Sequence, residues 1–79
     1  MREEEIFEII VGHLVEVLPE IDPQYVTMQD ALRDLGANSV DRVEIVMMTM
    51  ESLSLDIPLV ELSGTHNIQE LVELLHARL

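Results

Sequence analysis

Apolar residues at Ile6, Ile9, Ile10, Leu14 and Val17 recur near the helical period, and Phe7, Val11 and Val15 widen the stripe. The pattern predicts a first helix from about Arg2 to Val17. Glu3, Glu4 and Glu5 stand in its first turn, where the helix dipole favours anions. Gly12 costs such a helix roughly 1 kcal/mol against Ala, which points to a close approach by another helix. Pro19 stops the segment. Leu18 to Ala37 shows no long period, but Thr27 and Asp30 have capping-box spacing and predict one helical turn through Leu32. Ile21, Tyr25, Val26, Leu32 and Leu35 are the residues expected to pin this link to the core.

A second helix is predicted from Asn38, a good N-cap with Asp41 three residues on, to about Leu53. Val43, Val46, Met50 and Leu53 read as its inward stripe and Ile45 and Thr49 as the flanks. Val40 and Met47 fall toward solvent, and Met48 falls between rim and core. Pro58 opens a short third helix ending near Ser63, with Gly64 as its stop. Asn67 and Glu70 repeat the capping pattern before a fourth helix, in which Ile68, Leu71, Val72, Leu75 and Leu79 share one face. With no strand pattern, no repeat and no low-complexity tract, the expectation is an all-α fold: a small four-helix bundle with a long first loop and a short third helix.

Length and charge narrow what such a bundle does. The 79 residues make a single domain, 1–79, whose modest core leaves little room for an enzyme cleft. No apolar run approaches membrane-spanning length, and Arg2 followed by three glutamates is the reverse of a signal-peptide start. A soluble, cytoplasmic protein is expected. The absence of cysteine rules out disulfides and thiolate metal sites. A net charge of −12, with four Arg and no Lys, repels nucleic acid and anionic membranes and attracts basic protein surfaces. Solubility alone explains the charge equally well.

Candidate chemistry is sparse. His13, His66 and His76 lack the spacing of a zinc site, no loop has the alternating oxygen ligands of an EF-hand, and Gly36-Ala37-Asn38-Ser39 is not a nucleophile elbow. What remains is Asp34-Leu35-Gly36-Ala37-Asn38-Ser39-Val40-Asp41, which puts a hydroxyl in the first turn of the second helix after a glycine-bearing loop. The free amides and dipole of a helix start suit a phosphate ester on Ser39. Chemistry alone favours the plainer reading, in which Ser39 only helps to start the helix.

The run Leu35-Gly36-Ala37-Asn38-Ser39-Val40-Asp41-Arg42-Val43-Glu44-Ile45-Val46 resembles the acyl carrier protein signature, Leu-Gly-x-Asp-Ser-Leu-Asp-x-Val-Glu-Leu-Val. The similarity continues through Met47, Glu51, Ile57-Pro58 and the last helix. It implies the acyl-carrier type of bundle, a monomer that presents substrates rather than an enzyme, and a phosphopantetheine arm taken from coenzyme A onto Ser39. It implies partners that read the second helix and its approach: Asn38, Val40, Asp41, Arg42, Glu44, Met47 and Glu51, with Glu61 of the third helix joining the acidic surface. Asn38 and Val40 depart from the usual Asp and Leu; Asn38 keeps the cap and drops a charge. Arg42 interrupts the acidic face beside the site, and either discourages wrong partners or forms an ordinary surface pair. Leu59, Val60 and Leu62 either line a cleft for the acyl chain or touch a partner.

The stretch from Leu35 to Leu53 is most similar to the free-standing donor carriers of bacterial polyketide β-branching cassettes, which present acetyl to a hydroxymethylglutaryl-synthase-like enzyme. That resemblance implies a phosphopantetheinyl transferase, an acyltransferase and a decarboxylating ketosynthase as further partners. Acceptor carriers of such systems often bear a Trp on the second helix; this chain has none, and Ile45 occupies the region. A general fatty-acid carrier and a non-carrier helical module with an unmodified Ser39 stay open beside it.

Overall fold

The computed structural model describes every residue from Met1 to Leu79. Four helices, α1 (Glu3–Val17), α2 (Ser39–Leu53), α3 (Leu59–Leu62) and α4 (Ile68–Ala77), are joined without any strand, and two 3-10 turns, Pro23–Tyr25 and Leu32–Leu35, order the first link. This is the all-α bundle with a long first loop and a short third helix that the hydrophobic pattern predicts.

α1 is the central helix and packs against both α2 and α4. Ile6, Ile10 and Leu14 are fully buried along one face, with Val11 beside them. Ile9 and Val17 lie half-buried at the edge of that face. The close approach expected at Gly12 is absent: a Cβ there would meet nothing within 4 Å. Position 12 is two residues from Ile10 and from Leu14, across the helix from the buried face.

The link over residues 18–38 is folded against the helices. The radius of gyration of 11.2 Å matches the roughly 11.6 Å of a compact chain this long, so the link cannot be looped out. Asp22 Oδ1 accepts from the Gln24 N–H at 3.0 Å and caps the first 3-10 turn. The turn expected from Thr27 closes, with the Asp30 N–H donating to the Thr27 carbonyl at 3.1 Å, but it does not continue as a helix through Leu32. The Thr27 N–H donates to Asp30 Oδ2 at 2.8 Å, and the carbonyls of Met28 and Asp30 accept from the Gln69 and Ile68 N–H groups at 2.9 Å each. Carbonyls committed to α4 do not propagate a helix of their own, and the next turn begins at Leu32. Val26 and Leu32 are buried and Ile21 and Leu35 half-buried, as expected, whereas Tyr25 is 77% exposed. The turn over Pro23–Tyr25 hands the inward position to Val26.

α2 is rotated from the expected stripe. Ile45 and Thr49 are fully buried and Met50 and Leu53 buried, while Val46 is half-buried and Val43 is 42% exposed. The Thr49 hydroxyl donates to the Ile45 carbonyl at 2.8 Å, so burying it leaves no polar group unpaired. α3 begins after Pro58 as predicted, but Gly64 is not a left-handed stop. The hydroxyls of Ser63 and Thr65 donate to the Val60 and Leu62 carbonyls at 2.9 Å each, satisfying acceptors that a glycine cap would otherwise serve. In α4, Ile68, Leu71, Val72 and Leu75 are buried as the spacing requires; Leu79 lies past the helix end and is exposed.

Candidate functional site

Gly36 ends the second 3-10 turn with φ 105°, the left-handed region that favours glycine. The chain then extends through buried Ala37 to Asn38, at φ −75° and ψ −178°. This places Ser39 exposed at the first position of α2. Asn38 Oδ1 accepts from the Asp41 N–H at 2.8 Å, and Asp41 Oδ2 accepts from the Asn38 N–H at 3.2 Å. The capping box is thus complete with an amide in place of the usual carboxylate. The amides of Ser39 and Val40 have no partner within the protein. An exposed hydroxyl flanked by open amides at a helix start is suited to hold a phosphate ester.

Ser39 also sits at the edge of a cleft of about 440 Å³ between α2, α3 and α4. Val43 and Val46 line it from α2, Leu59 and Leu62 from α3, and Ile68 and Leu71 from α4. The α2 stripe read from the sequence as core therefore supplies Val43 and Val46 to this cleft. Val60, expected beside Leu59, lies outside it and is exposed. None of the 16 lining residues is acidic, although the chain has 16 acids among its 79 residues.

The remaining predicted positions spread along the outer side of α2. Val40 is 71% and Met47 53% exposed, and Glu44 and Glu51 are exposed. Asp41 is half-buried because its carboxylate serves the cap. Met48 is half-buried next to His13 and Ser52. Glu61 is ion-paired with Arg78 near the chain end. Arg42 is half-buried and forms no ion pair; its Nη1 donates to the Ala37 carbonyl at 2.9 Å. That bond was not anticipated, and the cleft was anticipated only on its Leu59 and Leu62 side, since the rest depends on where the Gly36–Ala37 turn passes. His13 bridges α1 to α2, with Nε2 2.8 Å from Ser52 Oγ and Nδ1 3.0 Å from Glu16 Oε1.

The start of α4 carries the same Asn-x-x-acid pattern but a different environment. Asn67 Oδ1 accepts from the Glu70 N–H at 2.9 Å. Glu70 Oε1 accepts from the His66 N–H at 3.0 Å and lies 3.1 Å from His66 Nδ1. The backbone bond from His66, more than its side chain, holds the Glu70 carboxyl below the usual carboxylate range.

Comparison with known proteins agrees over nearly the whole chain. The family model described as "phosphopantetheine attachment site" matches residues 8–75. The chain is 50% identical over 76 residues to the polyketide biosynthesis acyl-carrier-protein AcpK of Bacillus subtilis (strain 168), covering 96% of this chain and 93% of that one. It is 38% identical over 68 residues to the acyl carrier protein of Campylobacter concisus (strain 13826), covering 85% and 87%. Among solved structures, a chain in the crystal structure of the curacin biosynthetic pathway HMG synthase in complex with acetyl donor-ACP superposes with a TM-score of 0.90 at 44% identity, over 98% of this chain and 99% of that one. A helical bundle that offers an exposed serine beside a cleft, matched over nearly its whole length in this way, belongs to the acyl carrier protein family, whose members bear a covalent phosphopantetheine arm and present substrates without catalysing reactions.

Proposed function

We propose that Ser39 carries the arm and that the loaded protein donates acetyl to a hydroxymethylglutaryl-synthase-like enzyme in polyketide β-branching. One observation carries the reading: the likeness to the acetyl donor-ACP spans 98% of the chain at 44% identity. The 50% identity to a polyketide carrier supports it. In loading, Ser39 Oγ attacks the phosphoryl group of coenzyme A. A phosphodiester forms, the nucleotide leaves with the broken phosphoanhydride oxygen, and the hydroxyl proton passes to a base of the phosphopantetheinyl transferase. An acyltransferase then moves a carboxyacetyl group from a coenzyme A thioester to the arm's thiol, releasing coenzyme A, and a decarboxylating ketosynthase releases the carboxylate as carbon dioxide, leaving acetyl on the arm.

The face offered to the synthase is the outer side of α2. Glu44 and Glu51 supply exposed charge, and Val40 and Met47 an exposed apolar centre. Methionine's flexibility lets one such centre fit several enzymes in turn. The test is acetyl transfer from loaded carrier to the synthase, followed by intact-protein mass. The synthase is expected to accept acetyl far faster from this carrier than from a fatty-acid carrier bearing the same group. Met47→Asp is expected to slow transfer while leaving the helical signal unchanged. A synthase indifferent to which carrier delivers acetyl would return the protein to general carrier duty.

A further inference from the structure

We propose that Arg42 clamps the phosphodiester at the root of the arm and so turns the arm over the cleft instead of letting it swing in solvent. The inference rests on Ser39 being the attachment point. Arg42 stands three residues after Ser39, which makes the two side chains neighbours on one helix face. Both line the same cleft.

The state of Arg42 needs an explanation. In a chain with 16 acids and four arginines, the ion pairs present belong to His13, His66 and Arg78; Arg2 and Arg33 are unpaired but exposed, whereas Arg42 is unpaired and half-buried. Asp41 is committed to the Asn38 amide, and Glu44 projects two residues along, on a different side of the helix. The guanidinium is instead half-buried and fixed through Nη1 to the Ala37 carbonyl at 2.9 Å. The rest of its planar fork of donors is left for another acceptor. No acid lines the cleft to compete for it, and Arg33 adds a second cation among the lining residues. A phosphodiester on Ser39 Oγ meets the open Ser39 and Val40 amides from the helix end and this fork from one turn along, a match of geometry as well as charge. Held there, the arm starts out along Val43, Val46, Leu59 and Leu62, and its thioester is shielded from water.

The experiment begins by loading the protein with phosphopantetheine from coenzyme A and checking the mass. Failure of Ser39 to take the arm is a failure of the carrier reading and is seen at this step, before the clamp is addressed. The clamp is then read in the wild-type protein by NMR. The Arg42 Nε–H resonance is expected to move between the unmodified and loaded forms, and the arm's geminal methyl groups to show contacts to Val43 and Leu59. In Arg42→Gln the phosphorus resonance of the arm should shift and sharpen and those contacts should vanish. Hydrolysis of the acetyl thioester should rise by roughly 1.5- to five-fold, the range of one partly exposed charge pair. Arg42→Lys, which keeps the charge and loses the fork, should restore part of the protection. An Arg42 resonance unchanged on loading overturns the clamp, and because it is read in the wild-type protein it does so even if the variants fold poorly. A resonance that moves only when the acyl group ends in a free carboxylate also overturns it, by placing the anion at the far end of the arm.

Discussion

The starts of α2 and α4 share an Asn-x-x-acid capping pattern and end in opposite states. Asn38-Ser39-Val40-Asp41 and Asn67-Ile68-Gln69-Glu70 both cap through the asparagine side chain, at 2.8 and 2.9 Å. At α2 the next two amides are open and the first side chain is an exposed hydroxyl. At α4 the equivalent amides donate to the Asp30 and Met28 carbonyls at 2.9 Å each, and the first side chain, Ile68, is fully buried. One helix start is a place to attach a group; the other is a seam that sews the first link onto the bundle. A capping motif therefore states that a helix begins, and the neighbouring backbone decides whether its positive end stays available.

The largest expected effect tests that contrast directly. With coenzyme A and a broad-specificity transferase, intact mass should show one phosphopantetheine added to the wild type and none to Ser39→Ala. The helical signal should be nearly unchanged, because a helix-start serine contributes about 1 kcal/mol or less. Addition at Ser52, Ser54 or Ser63 would remove the α2 start from its role.

Proline substitutions sharpen the contrast on the stability side. Gln69→Pro removes the N–H that serves the Met28 carbonyl and should destabilise the fold by about 1–3 kcal/mol in urea unfolding. Val40→Pro, at the equivalent position of α2, removes an amide with no partner and should cost clearly less. Both impose the same restriction on the preceding residue, and subtracting the loss in Gln69→Ala, which removes only the side-chain bonds to Gln29 and Glu73, leaves the contribution of the backbone hydrogen bond. Equal losses would mean that the seam contributes nothing.

A smaller effect is expected from the acids around each start. Glu44→Lys should slow acetyl transfer by roughly three- to ten-fold at low salt, with the gap closing as salt rises. Glu3→Lys, at the start of α1, should do much less. Equal slowing would leave a diffuse field in place of a docking face.

The smallest effect is the pH response of α4. Because the Glu70 carboxyl is held below its ordinary value, its stabilising share is full above the unfolded-state pKa, near 4.3. It is lost as pH falls through the lower folded value. Carboxyl NMR titration should place Glu70 below an ordinary glutamate. His66→Ala should restore only part of the shift, since the main cause is the backbone N–H.

The site was legible where chemistry is local. The Asn38 cap and the position of Ser39 follow from residue type and spacing, because a helix start is governed by a handful of adjacent groups. The buried face of α2 was not. Apolar residues at 40, 43, 45, 46, 47, 48, 50 and 53 surround most of that helix, so periodicity permits several inward directions. Thr49 reads as polar, yet its bond to Ile45 lets it lie in the core. Gly12 reads as a contact and faces open space.

The sequence by itself determined the number and order of the helices, their starts, the acidic field and the serine that stands first in α2, since each of these depends on neighbours within a turn of chain. Tertiary structure alone decided that Val43 and Val46 wall a cleft, that Arg42 turns to the Ala37 carbonyl, and that carbonyls of the first link close α4 while α2 stays open. These contacts join segments far apart in sequence or depend on the path of a loop. Their geometry is set by how whole helices pack, which no local pattern encodes.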